Sequence, residues 1–234
     1  MRARRLLSLG VVASLLAGLA ACSVPSPDTA PSAPVADPDA PVVAFYGDSY
    51  TRGTGASSTD KRWSSIVSAD RGWYEINRSE NGLGFVNRRE AMGPGLDDIP
   101  ALIIDDDPDI VFVTMGLNDT FSYDRAAERI RAAIDSDLQR LRDGLPEARI
   151  VVVEPFWYTD DRPASVDVIA GWVEAAAARI GADHIDGASR WLEGHDADSA
   201  ESWMASDGLH PDDTGYAVMA ERMDAALRDL DPPL

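Results

Sequence analysis

The chain has 234 residues, enough for one domain with a sizeable core, and its 45% hydrophobic and 26% charged residues are an ordinary globular balance. Its 40 acidic residues against 21 basic ones give a formal charge of −19. That balance argues against a nucleic-acid partner and against adhesion of the folded surface to anionic lipid, both of which need a cationic face.

The first residues read as a targeting segment. Arg2, Arg4 and Arg5 precede an apolar run, Leu6 to Ala17, that is short for a transmembrane span. The run leads into Leu19-Ala20-Ala21-Cys22, which looks like the lipobox of bacterial lipoproteins, where the cysteine carries lipid and becomes the mature N-terminus. Cys22 is the sole cysteine, so no intramolecular disulfide can form. An ordinary secretory peptide is the plainer alternative, and Arg4-Arg5 leaves the export route open. Residues 1–21 are therefore expected to be a signal peptide, with an extracytoplasmic, lipid-anchored product.

Residues 22–41 carry six prolines among Ser, Ala, Asp and Thr, a composition that cannot bury a core and favours extended states. They are expected to tether a domain spanning 42–234. From Val42 onward, short apolar runs alternate with helical periods. Val42 to Tyr46, Trp73 to Ile76, Ile110 to Met115, Ile150 to Val153 and Asp183 to Ile185 are strand candidates. Ile130, Ile134, Leu138 and Leu141 recur at helical spacing, as do Ile169, Val173, Ala176 and Ile180. Tyr216, Met219, Met223 and Leu227 mark a last helix, with Asp212, Asp213 or Thr214 as its N-cap. Continuous apolar strands separated by amphipathic helices indicate a mostly parallel five-stranded sheet inside a three-layer α/β/α sandwich. Ligands of such sheets bind beyond the carboxyl ends of the strands.

Four loop segments then stand out. Gly47-Asp48-Ser49 follows the first strand, where a serine can present its Oγ at the sheet edge. Gly82 and Gly84 compete, in the loop after the second strand, to bring a backbone N–H to a substrate oxygen. Gly116-Leu117-Asn118-Asp119 follows the strongest strand; its asparagine carboxamide suits an oxyanion, while the Asn-Asp pair also reads as a helix cap. Asp207-Gly208-Leu209-His210-Pro211 precedes the last helix, and its carboxylate can fix the imidazole tautomer three residues on. His184 and His195 have weaker surroundings. Pro155-Phe156-Trp157-Tyr158 and Trp203 are candidates for an acyl pocket or a sugar platform, or for ordinary packing. No G-x-S-x-G elbow occurs, and three scattered histidines do not make a metal site.

In this order the four segments resemble the SGNH, or GDSL-type, hydrolases, from Phe45 to about Ala220. GDS matches residues 47–49, GxND matches 116–119 and DxxH matches 207–210, while Asn77-x-Ser79-x-x-Gly82 fits a form of the second block. The first block continues as Tyr50-Thr51-Arg52, where many members have Ser or Leu and then Thr. The resemblance implies a flavodoxin-like SGNH fold and a serine esterase without cofactor or metal. It makes Ser49 the nucleophile, His210 the base and Asp207 its orienter, with an oxyanion hole of Ser49 N–H, Gly82 N–H and Asn118. The expected substrate is a short or accessible ester of a small molecule, lipid or glycan, with the lipid on Cys22 as the membrane contact. An acyltransferase with the same triad, and a catalytically idle glycan- or lipid-binding lipoprotein, are the alternatives.

Overall fold

A computed structural model describes residues 37–93 and 98–234. The expected leader, Cys22 and most of the expected tether lie outside the described residues. Just before the first strand, the Pro41 carbonyl accepts the N–H of Tyr74.

Five strands form one all-parallel sheet: β1 (Val42–Gly47), β2 (Tyr74–Asn77), β3 (Ile110–Thr114), β4 (Arg149–Val153) and β5 (Asp183–Ile185), in the order β2-β1-β3-β4-β5. The expected strands are present, each end within a residue or so of its apolar run. The central three are buried on both faces because both are covered. Val43, Phe45, Phe112, Val151 and Val153 face one layer, α2 (Trp63–Arg71) and α6 (Asp213–Asp229), which supplies Trp63, Tyr216, Met219 and Met223. Ala44, Tyr46, Val111, Val113 and Val152 face the other layer, α3 (Ile99–Asp106), α4 (Tyr123–Gly144) and α5 (Ala164–Arg179). Alternation along each strand thus builds two cores from one sheet.

Ile130, Ile134, Leu138 and Leu141 form the buried stripe of α4, and Asp212 is the N-cap of α6, accepting the N–H of Thr214 and of Gly215. Two helices escaped the periodicity. In α2 the inward positions include Ser64 and Ser68, so its polarity hides its face. The apolar residues of α3, Ile99, Leu102, Ile103 and Ile104, run almost continuously around Pro100 and show no stripe. Among the described residues, no helix is long and apolar enough to cross a membrane.

Candidate active site

Ser49 stands two residues beyond the carboxyl end of β1 and opens a short helix, α1 (Ser49–Arg52). Asp48 caps that helix: its carboxylate accepts the N–H of Tyr50 at 3.0 Å and so fixes the turn that presents Ser49. Ser49, Gly82, Asn118 and His210 line one cavity of about 180 Å³, together with Tyr50, Asn81, Leu117, Phe121 and Leu209. Four loops distant along the chain therefore meet at the carboxyl edge of the sheet.

The imidazole is held from behind. One oxygen of Asp207 accepts the His210 Nδ1–H at 2.7 Å, and the other accepts the backbone N–H of Leu209 and of His210, each at 3.0 Å. Partial burial raises the Asp207 pKa, but the bond from the ring and the two backbone donors outweigh it and hold it at about 2. The carboxylate is therefore ionised at neutral pH. This fixes the tautomer with the proton on Nδ1 and leaves Nε2 as the basic nitrogen. The loop itself is anchored at both ends. Tyr50 Oη donates to the Leu209 carbonyl at 2.6 Å, and the His210 carbonyl accepts the N–H of Ala205 at 2.7 Å.

Ser49, Gly82 and the Asn118 carboxamide border the same cavity. Among the described residues, the fold's own hydrogen bonds use neither the N–H of Ser49 nor that of Gly82. Asn118 Nδ2 donates to the Leu83 carbonyl at 3.0 Å, which fixes the carboxamide, and its second proton has only a long contact, 3.4 Å, to Asp48. Burial pushes the Asp48 carboxyl up to about 7, with the nearby Asp119 charge adding to the rise.

Hydrogen bonding distinguishes Gly82 from Gly84. The N–H of Gly84 is already given to the Asn87 carbonyl, and a Cβ at Gly84 would lie 2.5 Å from Asp119 Oδ2. Gly84 is thus a glycine because a carboxylate approaches it. Gly82 has φ +72° and lines the cavity.

Asp119 is no helix cap. Its two buried oxygens accept the N–H groups of Phe85, Val86 and Asn87 at 2.6–3.0 Å, so the third block clamps the loop that carries Gly82. Burial raises its pKa against the pull of those donors.

The other sequence candidates fall elsewhere. His184 lies on β5, with its Nε2 buried and lacking a hydrogen-bond partner, and it faces a different, charged hollow. His195 stacks on Trp203 at 3.3 Å between ring centroids, and neither lines the cavity. Phe156 is core, stacked on Tyr50. Trp157 borders a second groove and lies 6.3 Å from Phe121, a ring the sequence reading passed over, which is 53% exposed and lines both hollows. Its only signal was its place three residues after Asn118. Among the described residues, no group of His, Cys, Asp and Glu is arranged to hold a metal ion.

Comparison with known proteins agrees with this architecture. Residues 45–218 match the model of the GDSL-like lipase/acylhydrolase family. A GDSL lipase of Mycobacterium tuberculosis is 26% identical over 188 residues, covering 77% of this chain and 79% of the relative. Phospholipase A1 from Streptomyces albidoflavus NA297 superposes with a TM-score of 0.60 at 18% identity, covering 80% of this chain and 99% of that one. A family two carbohydrate esterase from Clostridium thermocellum does so with a TM-score of 0.63 at 18% identity, covering 83% and 66%. Both solved structures share the fold. The chain belongs to the GDSL-like lipase/acylhydrolase family and is a carboxylic ester hydrolase.

Proposed function

We propose that the protein hydrolyses short or accessible carboxylic esters through a Ser49 acyl-enzyme. The observation that carries this reading is the shared cavity: Ser49, Gly82, Asn118 and His210 line it together, with Asp207 bonded to the far side of the imidazole.

His210 Nε2 takes the Ser49 proton as Oγ bonds to the ester carbonyl carbon. The resulting oxyanion is held by the N–H of Ser49, the N–H of Gly82 and Asn118 Nδ2. Imidazolium beside ionised Asp207 returns that proton to the departing alkoxide, which leaves as alcohol. Water, deprotonated by the same nitrogen, then attacks the acyl-enzyme, and its collapse releases acid and free Ser49. A cavity of about 180 Å³ is small beside the roughly 300–1,000 Å³ of drug-sized ligand sites. That size supports a short acyl group, or one that runs out over Phe121.

The run ending at Cys22 supports an address outside the cytoplasm, with lipid on the cysteine holding the domain at the cell membrane. Wild-type protein should react with a fluorophosphonate probe and turn over p-nitrophenyl butyrate, and Ser49→Ala should do neither. Full turnover by Ser49→Ala would end the reading. Loss of a metabolic fatty-acid label on Cys22→Ser tests the anchor.

A further inference from the structure

Beside the catalytic cavity runs a second hollow of about 340 Å³ lined by Arg88, Arg125 and Arg129, with Asn87, Ser122 and Glu90 among its other walls. In a chain of net charge −19, such a cluster stands out. Most arginines of the described residues are held by carboxylates, as in Arg52–Glu80, Arg71–Asp224 and Arg149–Asp183. Arg88 and Arg125 are not. Arg88 donates only to the Asn81 carbonyl at 3.3 Å, and Arg125 only to the Phe121 carbonyl and the Ser122 hydroxyl. Arg129 reaches Glu90 at 3.9 Å, with both side chains largely in solvent. Three arginine side chains thus line a space with one exposed carboxylate on its wall.

The hollow is placed for substrate. A Cβ on Gly82 would lie 3.1 Å from Arg88 Cδ and 3.3 Å from its Nη1, so this side chain passes directly over the glycine that lines the catalytic cavity. Arg88 reaches there from a left-handed backbone, φ +63°, a conformation that costs free energy for any residue but glycine. Arg125 comes from the first turn of α4, and its guanidinium donates to the carbonyl of Phe121, which lines the cavity.

We infer that the Arg88–Arg125 groove binds a phosphate on the alcohol portion of the ester, so that the preferred substrates are acyl esters of a glycerol phosphate-like alcohol. This deepens the esterase reading and rests on it. Guanidinium forks from two separate elements can meet several oxygens of one tetrahedral anion, which a single carboxylate partner would not require. The net charge opposes a whole anionic surface, so the groove serves one phosphate and not a membrane face.

The test pairs 1-butyryl-glycerol with 1-butyryl-glycerol 3-phosphate, both soluble. Wild type should favour the phosphate ester in kcat/KM by at least about tenfold, and the preference should shrink as salt is added. In Arg88→Gln/Arg125→Gln the ratio should fall to about one. Glutamine keeps the side chain as far as Cδ, removes the charge, and tolerates the Arg88 backbone no worse than arginine does. An equal fall on both esters with the ratio retained would mean a structural or oxyanion role, and would overturn the proposal. So would a wild-type ratio of one, or a gain seen only on phosphatidylglycerol vesicles. A second arm needs no turnover: Ser49→Ala protein should bind glycerol 3-phosphate in calorimetry more tightly than it binds glycerol or inorganic phosphate. The two arginine substitutions should abolish that binding. Absence of binding in that arm counts against the groove, whereas failure of wild type on both esters with binding intact counts against the esterase reading alone.

Discussion

Gly84 and Asp119 are packed so closely that a methyl group on the first would lie 2.5 Å from a carboxylate oxygen of the second. The contact joins the loop after β2 to the turn after β3, and the same carboxylate holds the three N–H groups that follow Gly84. Gly84→Ala should push the loop off its clamp and displace Gly82. We expect kcat for p-nitrophenyl butyrate to fall at least about tenfold while the protein stays folded by circular dichroism, since one oxyanion donor is typically worth about 3–4 kcal/mol when lost outright. Unchanged kcat would show that the clamp does not set the position of Gly82.

Asn118→Ala removes the side-chain donor and leaves the Leu83 carbonyl unpaired. The expected loss in kcat is on the order of a hundred-fold or more, with KM little changed, because the oxyanion exists only after attack. Steady-state kinetics on a short ester would read it.

Asp207→Ala should lower kcat by on the order of a thousand-fold, since nothing then fixes the imidazole tautomer. Ionisation of Asp207 persists down to about pH 2, so any acid limb of the rate profile above pH 3 belongs to another group. Any stability from its depressed pKa is present above the ordinary carboxylate range and lost only as pH falls through about 2. A wild-type kcat profile from pH 3 to 9 checks the assignment.

Asp48 works in the opposite sense. Burial lifts its pKa to about 7, so the folded chain keeps a proton that the unfolded chain gives up above about pH 4. The favourable contribution is complete below the unfolded value and is lost as pH rises through about 7. Asp48→Asn keeps the cap to Tyr50 and removes the titration. Its unfolding free energy at pH 8 should exceed that of wild type by up to about 4 kcal/mol, the equivalent of about three pKa units. Urea melts at pH 5 and pH 8 would show it; a wild-type decline that persists in the variant would sink the assignment.

Tyr50→Phe leaves the Leu209 carbonyl without its 2.6 Å partner. A stability loss of about 1–2 kcal/mol is expected. Activity should fall with it, since that carbonyl sits next to His210 in the loop. Thermal melts and kinetics on the same preparation would separate the two effects.

The strands were legible because apolar runs such as Ile110–Thr114 are buried on both faces and leave no polar interruption. Ser49, Asn118 and His210, which line one cavity, and Asp207, bonded to His210, stood out because each follows a strand or precedes a helix. What stayed hidden was tertiary. Asp119 looks like a cap in sequence, and only its distance from Phe85, Val86 and Asn87 in the fold makes it a clamp. Gly82 and Gly84 are equivalent as letters and differ in whether a carboxylate stands over them. Helix α2 was missed because Ser64 and Ser68 face inward: Ser64 Oγ donates to Glu75, so the partner that makes a serine acceptable inside lies on another element.

Ser49 and Asn118 follow neighbouring strands whose ends are paired Gly47 to Thr114. Ser49 and Asn118 therefore start from strand ends held at the ladder spacing of peptide groups, roughly 4.8 Å from strand to strand. Gly82 and His210 sit instead on loops held by a few hydrogen bonds to Asp119, Tyr50 and Ala205, outside the ladder. Warming short of unfolding should consequently detune the reaction through those two while the pair on the sheet keeps its spacing, so that catalytic failure begins at the periphery of the pocket before its floor gives way.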